Sequence, residues 1–403
     1  MKGILDGVKV LGIEQQVAGP TATMMLADMG AEIIKIERPG MGDTGREMAP
    51  ILKNDETGKT QSGYFARWNR NKKSLTLDMS SPEGQKVLWD LIEKVDIVID
   101  NIKPGLMEKL GFTWDKVREK NPKLVYVAIS GFGRSKKYEG PYSKRLAFDI
   151  IAQAMSGQMY TCGNDPNGAP TWLGFALGDS GTGVYAAYAA MLGYVNVLKT
   201  GKGEYFDLAM YDCMIALAER SHNIYGFTGK VTNRGPDKLI APWGPFACKD
   251  GHIALIVTTE SMWKKFLTAI GHLELLENPD IQSGPGRAAH METLIRPIIN
   301  DWLKDKTKVE ACETFMAAGL PCGPIQNAEE VAHCPHIAKR DLLIEVPDPI
   351  VGKLKMVGSP IKMIDHEPVY GPLPNLGADT DAILKDLGYS DERIKELRDS
   401  KAI

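Results

Sequence analysis

VKVLGIEQQVAGPTATMMLADMGAEIIKIE, residues 8–37, decides the fold. Val8–Gln15 reads as a buried strand, and Pro20–Met29 as a helix with proline in its first turn and Gly30 as its stop. Glu32–Glu37 is the next strand. Working outward, Ser80-Ser81 introduces a helix over Pro82–Lys94, followed by a strand at Asp96–Asp100. Short helices at Met107–Leu110 and Thr113–Asn121 lead to a strand at Leu124–Ser130. Ala147–Gly157 and Ser180–Leu198 read as helices, Tyr205–Met210 as a strand and Asp212–His222 as a further helix. Such alternation builds βαβ units, and so an α/β fold with a parallel sheet and helices on both faces.

After residue 225 the pattern changes. A polar stretch at 226–242 precedes two strands, Gly244–Cys248 and His252–Thr258, joined by the hairpin signal Lys249-Asp250-Gly251. Helices are expected at Met262–Ile270, Ala288–Lys304 and Lys308–Ala318, then a loop over Glu345–Pro374 and two last helices, Asp379–Leu387 and Asp391–Ser400. With 403 residues, two domains are the default. The expected division is a large domain at 1–225, a small α+β domain with its linker at 226–344, and a return to the large domain at 345–403.

A formal net charge of −3 argues against nucleic acid or an anionic membrane as partner. Six scattered cysteines without a CxxC pair fit a reducing compartment, and the start runs into a strand without a signal-peptide pattern. A cytoplasmic protein is the expectation. Val184–Val197 is too short to span a bilayer, and its alanines, glycine and tyrosines suit close packing, including packing across a subunit boundary.

The chemistry centres on GFALGDSGTG, residues 174–183. Asp179 stands among small residues just before the expected helix, where backbone N–H groups lack intrahelical partners. Two readings are open: an N-cap, which Ser180 or Thr182 could also supply, or a carboxylate placed where an anion and backbone donors meet. A dinucleotide site is disfavoured, because Gln16-Val17-Ala18-Gly19-Pro20 lacks GxGxxG and GFG at 131–133 has Lys136 where the third glycine belongs. His333, Cys334 and His336 read as a surface loop, and no metal site is expected. Basic residues gather near glycine turns: Arg38, Lys72 with Lys73, Lys103, and Arg134 with Lys136 and Lys137. Each cluster alone suits a solvated face. Three directly follow strands, where open sheets bind ligands, and together they suit a polyphosphate.

Nine segments carry a resemblance: VAGPTATMMLADMGAEIIKIERPGMGD (17–43), NRNKKSLTLDMSSPEG (69–84), DNIKPGLMEKLGF (100–112), AISGFGRS (128–135), FDIIAQAMSG (148–157), LGDSGTG (177–183), TGKGEYFDLAMYD (200–212), LPCGPIQNAEEV (320–331) and LGADTDAILKDLGYSDERIKELR (376–398). In this order, along essentially the whole chain, the sequence resembles the class III CoA-transferases, whose close cousin is α-methylacyl-CoA racemase. The resemblance implies that Asp179 is a nucleophile, forming an aspartyl anhydride and then an aspartyl-CoA thioester. It places Arg38, Lys72, Lys73 and Lys103 toward the CoA phosphates and adenosine, and Val17, Ala18 and Met107 along the pantetheine and adenine path. Lys137 and Arg145 join the CoA-binding set. Acyl-CoA and a small carboxylic acid are the implied substrates, with no tightly bound cofactor.

The resemblance further implies a large Rossmann-like domain whose parallel sheet is completed by the C-terminal segment, a smaller inserted domain, and a homodimer of interlocked chains. In such a dimer the small domain of one chain helps cover Asp179 of the other. Departures from the formyl-CoA transferase pattern are Val17 in place of Gln and LIAPWGPFACKDGH (239–252) in place of a run of glycines. They count against oxalate or formate, and Trp243 and Phe246 suggest a larger or less polar acid. The racemase carries His where this chain has Phe148 before Asp149, so the second base of a two-base racemase is not supplied. A CoA-ester hydrolase and a non-catalytic acyl-CoA binding protein are the remaining alternatives.

Overall fold

The computed structural model describes residues 3–236 and 239–403, so residues 237 and 238 of the expected linker at 226–242 lie outside the described residues. Two compact units are present. One comprises the chain up to Tyr160, Thr171–Thr232 and Arg340–Ile403; the other comprises Thr161–Pro170 and Asn233–Lys339. The turn-rich loop 161–170, read above as part of the large domain, therefore groups with the smaller unit.

In the larger unit β1 (Lys9–Ile13), α1 (Ala18–Asp28) and β2 (Glu32–Glu37) follow the sequence reading closely. A short hairpin, β3 (Ile51–Lys53) and β4 (Thr60–Ser62), leads to α2 (Gly63–Asn69) and β5 (Lys72–Thr76). Next come α3 (Pro82–Ile92), β6 (Ile97–Asp100), α4 (Leu106–Lys109), α5 (Trp114–Lys120) and β7 (Val125–Ser130). Helices α6 (Asp149–Met155), α7 (Gln158–Thr161) and α8 (Leu177–Thr200) precede β8 (Glu204–Ala209), α9 (Met210–Leu217) and α10 (Ser221–Thr228). The sheet is wholly parallel, in the order β5-β2-β1-β6-β7-β8. Counting only its own strands along the chain, this is 3-2-1-4-5-6, the doubly wound order whose switch point lies between β1 and β6.

Consecutive strand residues serve opposite faces. Val10, Ile33, Ile97 and Val127 pack with Ala22 of α1 and Ala186 and Ala190 of α8. Leu11, Ile34, Val98 and Tyr126 pack with Val87 and Leu91 of α3 on the other side. The small residues of α8 permit close approach: a Cβ at Gly193 would lie 2.4 Å from Val125 Cγ1.

The smaller unit is built on β9 (Trp243–Cys248), β10 (Gly251–Ile256) and β11 (Cys322–Pro324), antiparallel in the order β11-β10-β9. Its helices are α11 (Glu260–Ile270), α12 (Gly284–Ala289), α13 (Arg296–Leu303), α14 (Lys308–Ala317), α15 (Ala328–Ala332) and α16 (Pro335–Lys339). The single helix expected at 288–304 is broken by a π turn at Met291–Ile295. Phe246 is buried in this unit's core with Phe266 and Phe315, which removes it from contact with a substrate acid; Trp243 is exposed.

The C-terminal segment corrects two expectations. Residues 343–357 are not loop: β12 (Leu343–Asp348) and β13 (Gly352–Val357) form an antiparallel hairpin. Pro347 in β12, with Pro349 and Pro360 close by, made the stretch read as loop although Leu354 and Met356 alternate with Lys353 and Lys355 in β13. The segment adds no strand to the parallel sheet, so it does not complete it. It adds α17 (Thr380–Asp386) and α18 (Asp391–Asp399), whose Ile383, Leu384, Ile394 and Leu397 join the core on the α3 face. The start of α17 also covers the outer edge of β5, where Ser74 N–H donates to Asp379 Oδ2 (2.8 Å) and Thr76 N–H to Thr380 Oγ1 (3.1 Å).

Candidate active site

Helix α8 begins at Leu177, earlier than expected, so Asp179 stands inside its first turn and is not the cap. Ala176 holds the cap position without a side-chain hydrogen bond. Ser180 and Thr182 do not cap either; their hydroxyls donate back to Ala176 O (2.8 Å) and Gly178 O (2.6 Å). The helix start is served instead by Asp149 of α6, whose carboxylate accepts Gly178 N–H at 2.7 Å. Asp149 also accepts from Gln153 Nε2 (2.8 and 2.9 Å) and Trp172 Nε1 (3.1 Å). The anion bound at this helix start is thus part of the protein.

The glycines around Asp179 explain themselves by contact. A Cβ at Gly178 would meet Asp149 Oδ1 at 3.0 Å, and one at Gly183 would meet Thr21 Cβ at 2.6 Å and Ala18 O at 2.7 Å. They let α6 and the start of α1 press against the first turns of α8. Val17 and Ala18 are buried by the same packing. Burial and then the negative charge of Asp149 push the Asp179 carboxyl up to about 7. A helix N-terminus favours the carboxylate, yet desolvation and the like charge win here.

Two residues of this site were not named from sequence. Tyr64 of α2 is half-buried, and its hydroxyl donates to Gln16 Oε1 at 3.3 Å. Burial first, then the charges of Asp179, Asp43 and Asp149, push Tyr64 up to about 12, so it remains a neutral donor. Gln16 follows β1 with φ of 66°. Its N–H donates to Asp43 Oδ1 (3.1 Å) and its side-chain amide to Thr44 Oγ1. The available sequence signal was the position of Gln16 after the first strand, at the sheet's carboxyl edge.

Outside the carboxyl ends of β1, β2, β5 and β6 lies a crevice of roughly 340 Å³, lined among others by Glu14, Gln15, Arg38, Asp78, Ser80 and Leu110. It occupies the switch point, as the sheet order requires. Arg38 stands exposed at its rim, and Lys103 is exposed on the turn after β6. Met107 is turned into the core and is 2% exposed, while Leu106 and Leu110 on either side of it line the crevice.

Lys72 is the clearest correction to the cationic set. It sits in β5, a strand missed because KKSLT reads as polar. Its ammonium is buried against Glu14 Oε1 (2.7 Å), Asn69 Oδ1 (3.0 Å) and Pro20 O (3.2 Å), leaving no face for a phosphate. The neighbouring Lys73 points outward and pairs with Glu32 at 3.0 Å. Arg134 is likewise buried, against Asp100 at 2.6 Å. Lys137 is exposed beside a second cavity of roughly 310 Å³ floored by Trp114, Tyr126 and Tyr205. Arg145 is exposed and lies over the Tyr142 ring at 4.2 Å. The structure therefore brings Arg38 to the switch-point crevice, Val17 and Ala18 to the Asp179 helix, and Lys137 to a separate cavity. Phe148 is exposed beside Asp149. Among the described residues no three His, Cys, Asp or Glu side chains are grouped to hold a metal ion, and no helix is long and apolar enough to cross a membrane.

Residues 5–380 match the family model described as CoA-transferase family III. A formyl-CoA:oxalate CoA-transferase of Rhodopseudomonas palustris is 34% identical over all of this chain and 98% of its own length. A succinyl-CoA:mesaconate CoA-transferase of Haloarcula hispanica is 35% identical over 92% of each chain. A crystal structure of a CaiB/BaiF family protein from Brucella suis superposes with a TM-score of 0.84 at 28% identity, covering 96% of this chain and 100% of that one. With a doubly wound domain, a half-buried carboxylate in the LGD turn and relatives aligned along its length, the protein belongs to CoA-transferase family III and is a CoA-transferase.

Proposed function

We propose that this enzyme moves CoA from an acyl-CoA donor to a small carboxylic acid through covalent intermediates on Asp179. The observation that carries the reading is the Asp179 carboxyl itself, desolvated in the first turn of α8 with Asp149 beside it and poised near 7. Asp179, as carboxylate, attacks the thioester carbonyl of the donor; the C–S bond breaks, giving an aspartyl anhydride and CoA thiolate. The thiolate attacks the aspartyl carbonyl, forming aspartyl-CoA thioester and releasing the donor acid as carboxylate. The acceptor carboxylate then attacks this thioester, and the freed thiolate attacks the acceptor acyl carbonyl, releasing the new acyl-CoA and Asp179. Splitting one exchange into four acyl transfers is ordinary covalent catalysis. No net proton or electron is required.

In this reading the switch-point crevice takes the nucleotide end of CoA, with Arg38 at the rim and Lys103 on the segment after β6, while Lys73, toward the amino end of β5, adds charge from a distance. Val17 and Ala18 fix the wall of the path toward Asp179, and Lys137 and Arg145 serve the outer phosphates. The acids named for the two relatives, oxalate and mesaconate, are both dicarboxylic, which supplies the first acceptors to screen. Val17 in place of Gln and the missing glycine run weigh against oxalate itself.

A homodimer with interlocked chains is part of the proposal. Its support is α8, where Val184, Tyr188, Leu192 and Val195 form an exposed apolar stripe at helical spacing. Sedimentation of the purified protein tests it, a monomer at micromolar concentration counting against it.

The covalent route is tested by incubation with succinyl-CoA, trapping with hydroxylamine and peptide mass mapping. A hydroxamate on Asp179 that requires the acyl-CoA is the expected result. An unmodified Asp179 in protein shown to bind CoA would refute the route.

A further inference from the structure

Asn71, Asp341, Lys401 and Gln16 are the non-glycine residues with positive φ among those described, and Gln16 is the one hydrogen-bonded to Tyr64, whose hydroxyl feels the Asp179 charge. Glycine adopts such a backbone freely, whereas an L side chain does so rarely. Strain of this kind persists where the surroundings over-determine it, and it clusters at ligand sites.

The surroundings here are specific. Asp43 Oδ1 accepts the N–H groups of Gln16 (3.1 Å) and Gly45 (2.8 Å), while Asp43 Oδ2 is paired with Lys35 at 2.9 Å. Lys35 is fully buried and also donates to Glu14 O at 2.9 Å. On the other side the Ala18 carbonyl and Thr21 lie close against Gly183, one turn beyond Asp179. Residue 16 is thus fixed at both ends. Its amide donates to Thr44 Oγ1 through one N–H and accepts the Tyr64 hydroxyl, which leaves a second amide N–H for an acceptor.

We propose that Gln16, held in its left-handed backbone by Asp43 and with its amide oriented by Tyr64, is a specificity-determining residue whose second amide N–H receives the far carboxylate of a dicarboxylic acid. This rests on the transfer reading above. A neutral N–H donor suits a far carboxylate in a site already carrying acidic groups, because it adds no buried cation to be compensated. The acceptor acid arrives when Asp179 is acylated and uncharged, so Asp149 is the carboxylate it meets at the reaction centre. A monocarboxylic acid of equal length offers the second Gln16 amide N–H nothing and leaves it unpaired, which is how polar sites reject apolar analogues.

The test measures CoA transfer from acetyl-CoA to succinate and to butyrate by wild-type protein, Gln16→Gly, Gln16→Asn and Tyr64→Phe. For Gln16→Gly and Tyr64→Phe we expect the succinate KM to rise about tenfold or more, with the butyrate and acetyl-CoA KM values changed by less than about twofold. Gln16→Asn keeps an amide on a residue type that tolerates positive φ, and should recover part of the succinate KM. Gly relieves the backbone, so Gln16→Gly should melt at or above the wild-type temperature, which separates lost selectivity from lost fold. Succinate and butyrate KM values that move together, or stay unchanged, overturn the proposal. Wild-type protein that forms the Asp179 hydroxamate without preferring succinate overturns it alone. Wild-type protein that forms no hydroxamate overturns the transfer reading beneath it.

Discussion

Two groups of buried charge lie in the same unit and behave oppositely. Behind the carboxyl ends of β1, β2 and β5, Glu14 meets Lys72, Lys35 meets Asp43, and Glu37 meets Arg46 at 2.7 Å. In the first turn of α8, Asp179 has for company burial and the like charge of Asp149, and among the described residues no ion pair. In the first group burial pushes Glu37 up, but Arg46 and Lys35 outweigh it and bring its carboxyl down to about 2. In the second, nothing opposes burial, and Asp179 rises to about 7. Pairing outweighs burial at Glu37 and holds it ionised, whereas at Lys72 burial outweighs the Glu14 charge and brings the ammonium down to about 8; at Asp179 no opposite charge offsets burial, and the carboxyl is left able to react.

The largest break in this comparison is Asp179→Ala. It should lower CoA transfer by about 10⁴-fold or more, the order seen when a covalent nucleophile is removed. Steady-state assays with melting curves alongside would show whether the loss is chemical. A residual rate within tenfold of wild type would move the nucleophile elsewhere.

Removing a cation from the paired group should cost stability. Lys72→Met leaves Glu14 sharing Lys35 as its one remaining cationic partner, and orphaning one side of a buried pair costs about 3–5 kcal/mol. Urea unfolding would measure it. A loss below about 1 kcal/mol would mean that Lys72 is not buried in a pair, returning it to the set of phosphate contacts.

Asp149→Asn probes the unpaired group more gently. Its Oδ1 can still accept Gly178 N–H, while the like charge is gone. Only ionised Asp179 is nucleophilic, so kcat/KM for acyl-CoA should rise with pH and reach half its limit near the Asp179 value of about 7. Without the Asp149 charge that midpoint should fall, by roughly one unit on the scale of close carboxylate pairs. A pH–rate profile that keeps its midpoint would show that Asp149 only secures the helix.

The smallest effect belongs to Lys73, next to Lys72 but facing water. Lys73→Ala removes an exposed pair with Glu32 and should change stability by no more than about 0.5 kcal/mol. A larger change would blur the distinction between neighbouring lysines. An increased KM for acyl-CoA at unchanged stability would support the phosphate role proposed for it.

The doubly wound frame was legible because β1, β6 and β7 are largely apolar runs and β2 carries three isoleucines broken only by Lys35, and proline, glycine and serine mark the helix ends around them. β5 was not, because Lys72 reads as polar until Glu14, fifty-eight positions away, comes beside it. The hairpin of β12 and β13 failed for a local reason, Pro347 and the prolines nearby reading as loop over a stretch that does alternate. The small residues around Asp179 draw attention to it but leave a cap and a reactive carboxylate both open; the family resemblance turns the reading toward the second. The first-turn position of Asp179 could not be read, since the identity of the capping group depends on Asp149 twenty-nine residues earlier and on another helix. Tyr64 and Gln16 carried no motif; what marks them is a shared hydrogen bond and a backbone angle.

The contact between β5 and the start of α17 has a consequence for biosynthesis. Ser74 and Asp379 are 305 positions apart, and the whole smaller unit is encoded between them. On the ribosome, β5 emerges long before the residues that seal its outer edge, by about 15–60 s at ordinary elongation rates. During that interval an unpaired parallel edge is open to other nascent chains, the kind of surface that chaperones guard. Truncation anywhere before Asp379 would make the interval permanent, so premature termination even near the end of the message should yield an aggregating product and not a shortened enzyme.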